Sequence, residues 1–133
     1  MKGKSYDIDK LAESGMFDIG VATRFYYNTQ EYFDALTNFM VNHNRPLSNY
    51  TPAFVVNSEP DREQFMKECF EIRADFVRLG LTVLLDWLVV MENAAIAKNA
   101  KEFMDGQINF HASLKICRDT LRESTKPWRM TLG

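Results

Sequence analysis

The sequence predicts an all-α fold, an antiparallel four-helix bundle with an additional short N-terminal helix, and three observations predict it. Apolar residues recur at steps of three and four along most of the chain, the spacing of one face of a helix. Polar caps mark where those periodic segments begin. No stretch alternates apolar and polar residues in the period of two that a half-buried strand requires.

The elements follow in chain order. Asp18 is expected to cap a short helix that runs through Tyr26. Asn28 followed three residues later by Glu31 reads as a capping box, in which the Asn side chain accepts from an orphan helix amide while the Glu reaches back. The segment it opens places Tyr32, Phe33, Leu36, Phe39 and Met40 at helical spacing. Pro46 and Pro52 interrupt any continuous helix between Asn42 and Asn57, so a kink or a break is expected there, with a second piece of helix within residues 46 to 56.

Ser58 opens the next helix, with Pro60 in its first turn and Glu59 and Asp61 beside the positive end of the dipole. It should run to about Leu79 and stop at Gly80, since glycine enters the left-handed conformation that ends helices without a Cβ clash. A third long helix is expected from about Leu81 to Lys98. A fourth, opened by the Asn99–Glu102 capping box, should continue to about Arg122.

A chain of 133 residues, read as a single helical domain over residues 1–133, is long enough to bury a sizeable core. Its hydrophobic fraction of 46%, charged fraction of 26% and net charge of -2 are those of an ordinary globular protein. No segment is strongly basic, which argues against nucleic acid as a partner. Met1 to Lys10 holds no apolar run of the signal-peptide kind, and the most apolar stretch, Leu79 to Met91, contains Asp86 and is well short of the ~20 residues a bilayer requires. A cytoplasmic location without membrane contact is the expectation. Cys69 and Cys117 lie far apart among apolar neighbours and match no metal spacing, so buried reduced thiols are expected.

The helix after Ser58 carries two apolar seams. Phe65, Cys69, Ile72, Phe76 and Leu79 form the first, a core-facing pattern. Met66, Phe70, Arg73, Ala74 and Val77 form the second, which must be covered by a neighbouring helix or by a partner protein.

Around this second seam the sequence resembles the histidine-containing phosphotransfer (HPt) domain family. HPt domains read Ala-His-x-Leu-Lys-Gly on one helix and close on an Asn-Ile-Gly-Ala-like ending. Here Cys69, Phe70, Glu71, Ile72, Arg73 and Ala74 stand in that register, followed by Arg78, Leu79, Gly80 and Leu81. Phe17–Asp18–Ile19, Arg24–Phe25–Tyr26–Tyr27–Asn28 and then Tyr32, Leu36 and Phe39 are similar to the segments preceding the motif. Met91–Glu92–Asn93–Ala94–Ala95 and Lys98–Asn99–Ala100 are similar to those following it. The resemblance covers about residues 7 to 122. It departs from the family at Pro46 and Pro52, where HPt domains have a more regular helix, and at Phe70, which stands where the phosphate-accepting histidine should be.

That departure decides the chemistry. Accepting a phosphoryl group needs a nitrogen lone pair that is nucleophilic near neutral pH, which imidazole supplies and a phenyl ring does not. Arg73 keeps a positive charge at the family's lysine position, and Ala74 is nearly as small as the family's glycine. The resemblance therefore implies a non-catalytic protein that binds a response-regulator receiver domain or a histidine kinase through Met66, Phe70, Arg73, Ala74 and Val77, as a monomer or homodimer, without metal or cofactor.

Two alternatives stay open. His111 has Lys115 one turn away and is the alternative phosphorylation site, although it falls on the last helix, where the family carries no acceptor. His43 lies in the polar Asn42–Arg45 turn and reads as a loop residue. The other alternative is a helical protein unrelated to phosphorelay, dimerising through Met66, Phe70 and Val77. Glu68, Glu71 and Asp75 could be taken for di-metal ligands by their spacing, but the Glu-x-x-His partner is missing and a solvated acidic face is expected.

Overall fold

The computed structural model describes residues 7–42 and 47–125, and every regular element among them is a helix. In order these are α1 (Ile8–Glu13), α2 (Gly20–Phe25), α3 (Thr29–Asn42), α4 (Pro52–Asn57), α5 (Glu59–Leu79), α6 (Thr82–Ile96) and α7 (Ala100–Ser124). The four long helices match the four read from periodicity. The short ones differ from expectation: two helices, not one, precede α3.

Local chemistry sets most boundaries. Asp7 Oδ1 accepts from the Lys10 amide at 3.1 Å and opens α1, while Asp18 Oδ1 accepts from Gly20 N at 3.0 Å ahead of α2. Asn28 Oδ1 accepts from Glu31 N at 2.9 Å. The Glu31 carboxylate reaches back to the amide of Tyr27, one residue beyond the amide a standard capping box would use. Tyr26 is extended, so α2 ends at Phe25 and the expected continuation through Tyr26 does not form. Pro52 occupies the first turn of α4, where a missing amide costs nothing. Ser58 Oγ accepts from Asp61 N, and Asn99 Oδ1 from Glu102 N at 3.1 Å, capping α5 and α7 as read.

Gly80 ends α5 at φ +71°, with Leu81 N–H donating to Phe76 C=O and Gly80 N–H to Val77 C=O. Two further contacts fix this corner. Asp18 N–H donates to Gly80 C=O at 2.7 Å, and Tyr32 Oη donates to Leu79 C=O at 2.7 Å. A Cβ at Gly80 would stand 2.4 Å from the Asp18 carbonyl oxygen, so both the φ and the close approach demand glycine. The end of α5 is thereby tied to the loop before α2 and to α3.

The core takes one seam from each long helix. Phe33, Leu36 and Phe39 of α3 meet the buried Phe65–Leu79 seam of α5, Leu84, Leu88 and Met91 of α6, and Phe103, Phe110, Leu114 and Cys117 of α7. Edge-on aromatic contacts link Tyr50, Phe65 and Phe103, and another joins Phe39 to Phe76. Gly106 on α7 faces Met91 and Val90 so closely that a Cβ would lie 3.0 Å from Met91 Cγ, which brings α6 and α7 together. Both cysteines are buried and unpaired. Among the described residues no helix is long and apolar enough to cross a membrane.

Candidate functional site

The rotation of α5 about its own axis decides which of its two apolar seams meets the core. Phe65, Cys69, Phe76 and Leu79 are fully buried and Ile72 nearly so, which leaves the second seam at the surface. Met66 is half-buried and packs on the core edge. One turn on, Phe70 is 77% exposed, Ala74 is exposed and Val77 is 50% exposed. No neighbouring helix among the described residues covers Phe70.

Across from this seam, α6 continues the apolar surface. Met66 and Ile96 line one open groove together with Lys67 and Lys98, and Ile96 is 65% exposed. Arg73 on α5 donates through Nη2 to Oε1 of Glu92 on α6. These two contacts set the helices antiparallel. Val77 and Val89 then lie one turn beyond the ion pair on the same side. The result is a strip with Phe70, Met66 and Ile96 on one side of an Arg–Glu pair and Val77 and Val89 on the other.

The electrostatics differ from the sequence expectation at Arg73. The sequence assigns Arg73 a positive charge open to a partner, but its guanidinium is only part-exposed and is committed to a carboxylate that is almost wholly buried. Glu92 cannot be left alone in such surroundings without a large desolvation penalty, so the arginine turns toward it. One guanidinium nitrogen is used in this pair, and the group carries further donors. Behind Phe70, burial pushes the Cys69 thiol well above its usual range, with the Glu92 and Glu68 carboxylates adding to the effect. It is held as a neutral packing group.

Glu92, Val89 and Ile96 do not stand out as site residues in the sequence. Their spacing of three and four along α6 is the signal that could have found them, but it merges with the run Leu84, Leu88, Met91 and Ala95 that faces the core.

The other candidates are placed as follows. His111 is half-buried, its Nδ1 lies 3.0 Å from the Gln107 carbonyl one turn back, and its ring meets Phe110 edge-on. Lys115, expected beside it, is drawn 2.7 Å from Asp119 instead. His43 lies outside the described residues. The expected acidic face divides three ways. Glu68 accepts from Tyr50 Oη at 2.8 Å, Asp75 pairs with Arg78 at 2.7 Å, and Glu71 alone faces solvent without an ion pair among the described residues. No group of three or more His, Cys, Asp or Glu side chains among the described residues could hold a metal ion.

The strip on α5 and α6 offers apolar area and one shielded cation. A phenyl ring supplies neither a nucleophilic lone pair nor a transferable proton, and an exposed apolar strip of this kind suits contact with another surface. An all-α protein whose second apolar seam on α5 leaves Phe70 uncovered is the class these features define. No protein-family model matches the chain, and no curated protein or solved structure matches it.

Proposed function

We propose that the chain is a non-catalytic, HPt-like binding protein that docks a receiver domain or histidine kinase of a two-component phosphorelay on the Phe70 face of α5. The observation that carries the docking surface is the 77% exposure of Phe70 on a helix whose other phenylalanines, Phe65 and Phe76, are fully buried. A large aromatic ring held in water by a rigid helix, with Met66, Val77, Val89 and Ile96 beside it, has the composition of an interface centre. The partner class is supported by register: Phe70, Arg73, Ala74 and Gly80 stand at the family's histidine, lysine, glycine and closing-glycine positions.

On this reading α3, α5, α6 and α7 are the antiparallel four-helix bundle, with α1 and α2 packed before it, and the protein works in the cytoplasm. The short turns at Gly80–Leu81 and Ala97–Asn99 reverse the chain between α5, α6 and α7 as such a bundle requires. Without the nucleophile, docking would compete for, sequester or scaffold a phosphorelay component.

The deciding experiment titrates the full chain with receiver domains in the presence of a labelled phosphoryl donor. Binding is expected without label on the chain, and Phe70→Ala should weaken it at least about tenfold, as removal of a central aromatic anchor does. Acid-labile label on this chain would overturn the non-catalytic assignment. Full affinity of the Phe70→Ala variant would overturn the docking face.

A further inference from the structure

A second uncovered face lies on α7, away from the Phe70 strip. Met104, Ile108 and Ile116 are 46%, 59% and 50% exposed, and Ala112 between the last two is exposed as well. Their step of four makes a continuous ridge opposite the buried Phe110. The same Lys-then-Asp order brackets both ends of the ridge, so its outermost charges are opposite: Lys101 pairs with Asp105 at 3.2 Å toward one end, and Lys115 with Asp119 at 2.7 Å toward the other.

We infer that this face joins two copies of the chain through antiparallel packing of α7 on α7, with the two-fold axis at the level of Phe110. At 3.6 residues per turn, Lys101, Ile108, Ala112 and Asp119 all lie within about 20° of the line facing away from the core. Antiparallel pairing about that level sets Ile108 against Ala112 of the second copy and Lys101 against its Asp119. A small residue opposite a large one lets the helix axes approach, and each end of the contact brings a cation to an anion. The existing pairs within α7, in which Asp119 meets both Lys115 and Arg122, are solvent-exposed, so exchanging one partner costs little.

The Phe70 face does not have this symmetry. Reversing α5 about Phe70 would set Lys67 against Arg73, whose charge is already taken up by Glu92, so the contact gains no pairing of opposite charges at its centre. Charge order thus assigns the second copy to α7 and leaves α5 for a different partner.

The stretch from Lys101 to Asp119 is about 27 Å long, so the contact is at the small end of specific interfaces and self-association is expected at roughly tens of micromolar. Sedimentation equilibrium of the full chain across that concentration range tests it. A monomer–dimer equilibrium is expected, weakened about tenfold or more by Ile108→Glu and by Lys101→Asp, and recovered when Lys101→Asp is combined with Asp119→Lys. A monomer at every concentration overturns the inference. So does a dimer that ignores these substitutions but is lost with Phe70→Ala, and so does failure of the combined charge exchange to recover what Lys101→Asp loses. Circular dichroism of each variant verifies that these exposed substitutions leave the helices intact.

Discussion

Arg73 of α5 is bound to Glu92 of α6, so the cation one turn from the exposed Phe70 ring is anchored to a buried carboxylate on the adjacent helix. The pair splits the apolar strip and fixes the relative position of its two helices. Because Glu92 is far more buried than Arg73, the two partners are not equivalent. Removing the arginine strands a buried charge, and Arg73→Ala should cost about 1–2 kcal/mol, a figure reduced from that of a fully buried pair because the guanidinium is part-exposed. Urea denaturation at pH 7 measures this, and Lys67→Ala, on an exposed lysine of the same helix, should change stability by no more than about 0.5 kcal/mol.

Phe70 and Phe65 are chemically identical and lie five residues apart on one helix, but only Phe65 is buried. Phe65→Ala should cost about 3–5 kcal/mol through lost transfer energy and a residual cavity. Phe70→Ala should leave stability within about 0.5 kcal/mol of the parent. Thermal melts of the two variants test the assignment of the seams independently of any partner.

Two glycines at nearly the same φ should respond differently. Gly15 at +74° has nothing within 4 Å of where a methyl group would stand, so Gly15→Ala bears only the left-handed conformational cost of about 1 kcal/mol. Gly80 at +71° would drive a Cβ to 2.4 Å from the backbone oxygen of Asp18. Gly80→Ala should therefore cost ~3 kcal/mol, as the loop before α2 is pushed from the end of α5. Guanidinium denaturation of both variants gives the contrast.

Lys98 follows α6 at φ +57°, where glycine is the unstrained choice, and its side chain is exposed with no ion pair among the described residues. Lys98→Gly should stabilise the fold by about 0.5–1 kcal/mol, the relief of strain being partly offset by greater freedom of the unfolded chain. A rise in Tm of a few degrees is the expected readout.

Burial pushes the Cys117 thiol from its ordinary value of 9.0 up to about 12, and Cys69 moves in the same direction. A thiol whose pKa is raised by folding contributes stability that is complete below the unfolded value and is lost as pH rises from there through the folded value. Urea midpoints should therefore fall as pH rises above about 9, and less steeply for Cys117→Ala. Alkylation at pH 8 should label neither thiol until the protein is unfolded.

The boundaries of the long helices were legible because their causes are local. Ser58 and Asn99 cap through their own side chains, Gly80 ends α5 through its own φ, and apolar spacing needs no knowledge of what lies opposite. α1 was not legible. It has six residues and one buried side chain, Leu11, and it is held by Asp7 N–H donating to Ser124 C=O at the far end of α7. No local signal encodes that contact. That proline interrupts the 42–57 region was readable, since proline acts on its own backbone, whereas the helical piece expected within residues 46 to 56 is α4, which runs from Pro52 to Asn57.

By itself, then, the sequence determined the all-α class, the limits of α5 and the existence of two apolar seams along it, because capping and periodicity act within a few residues of one another. Tertiary structure decided which seam is buried, where the charge of Arg73 is directed and why Gly80 tolerates no side chain. Each of these depends on an atom distant in the chain: the core that takes Phe65 and leaves Phe70, the carboxylate of Glu92, and the carbonyl of Asp18.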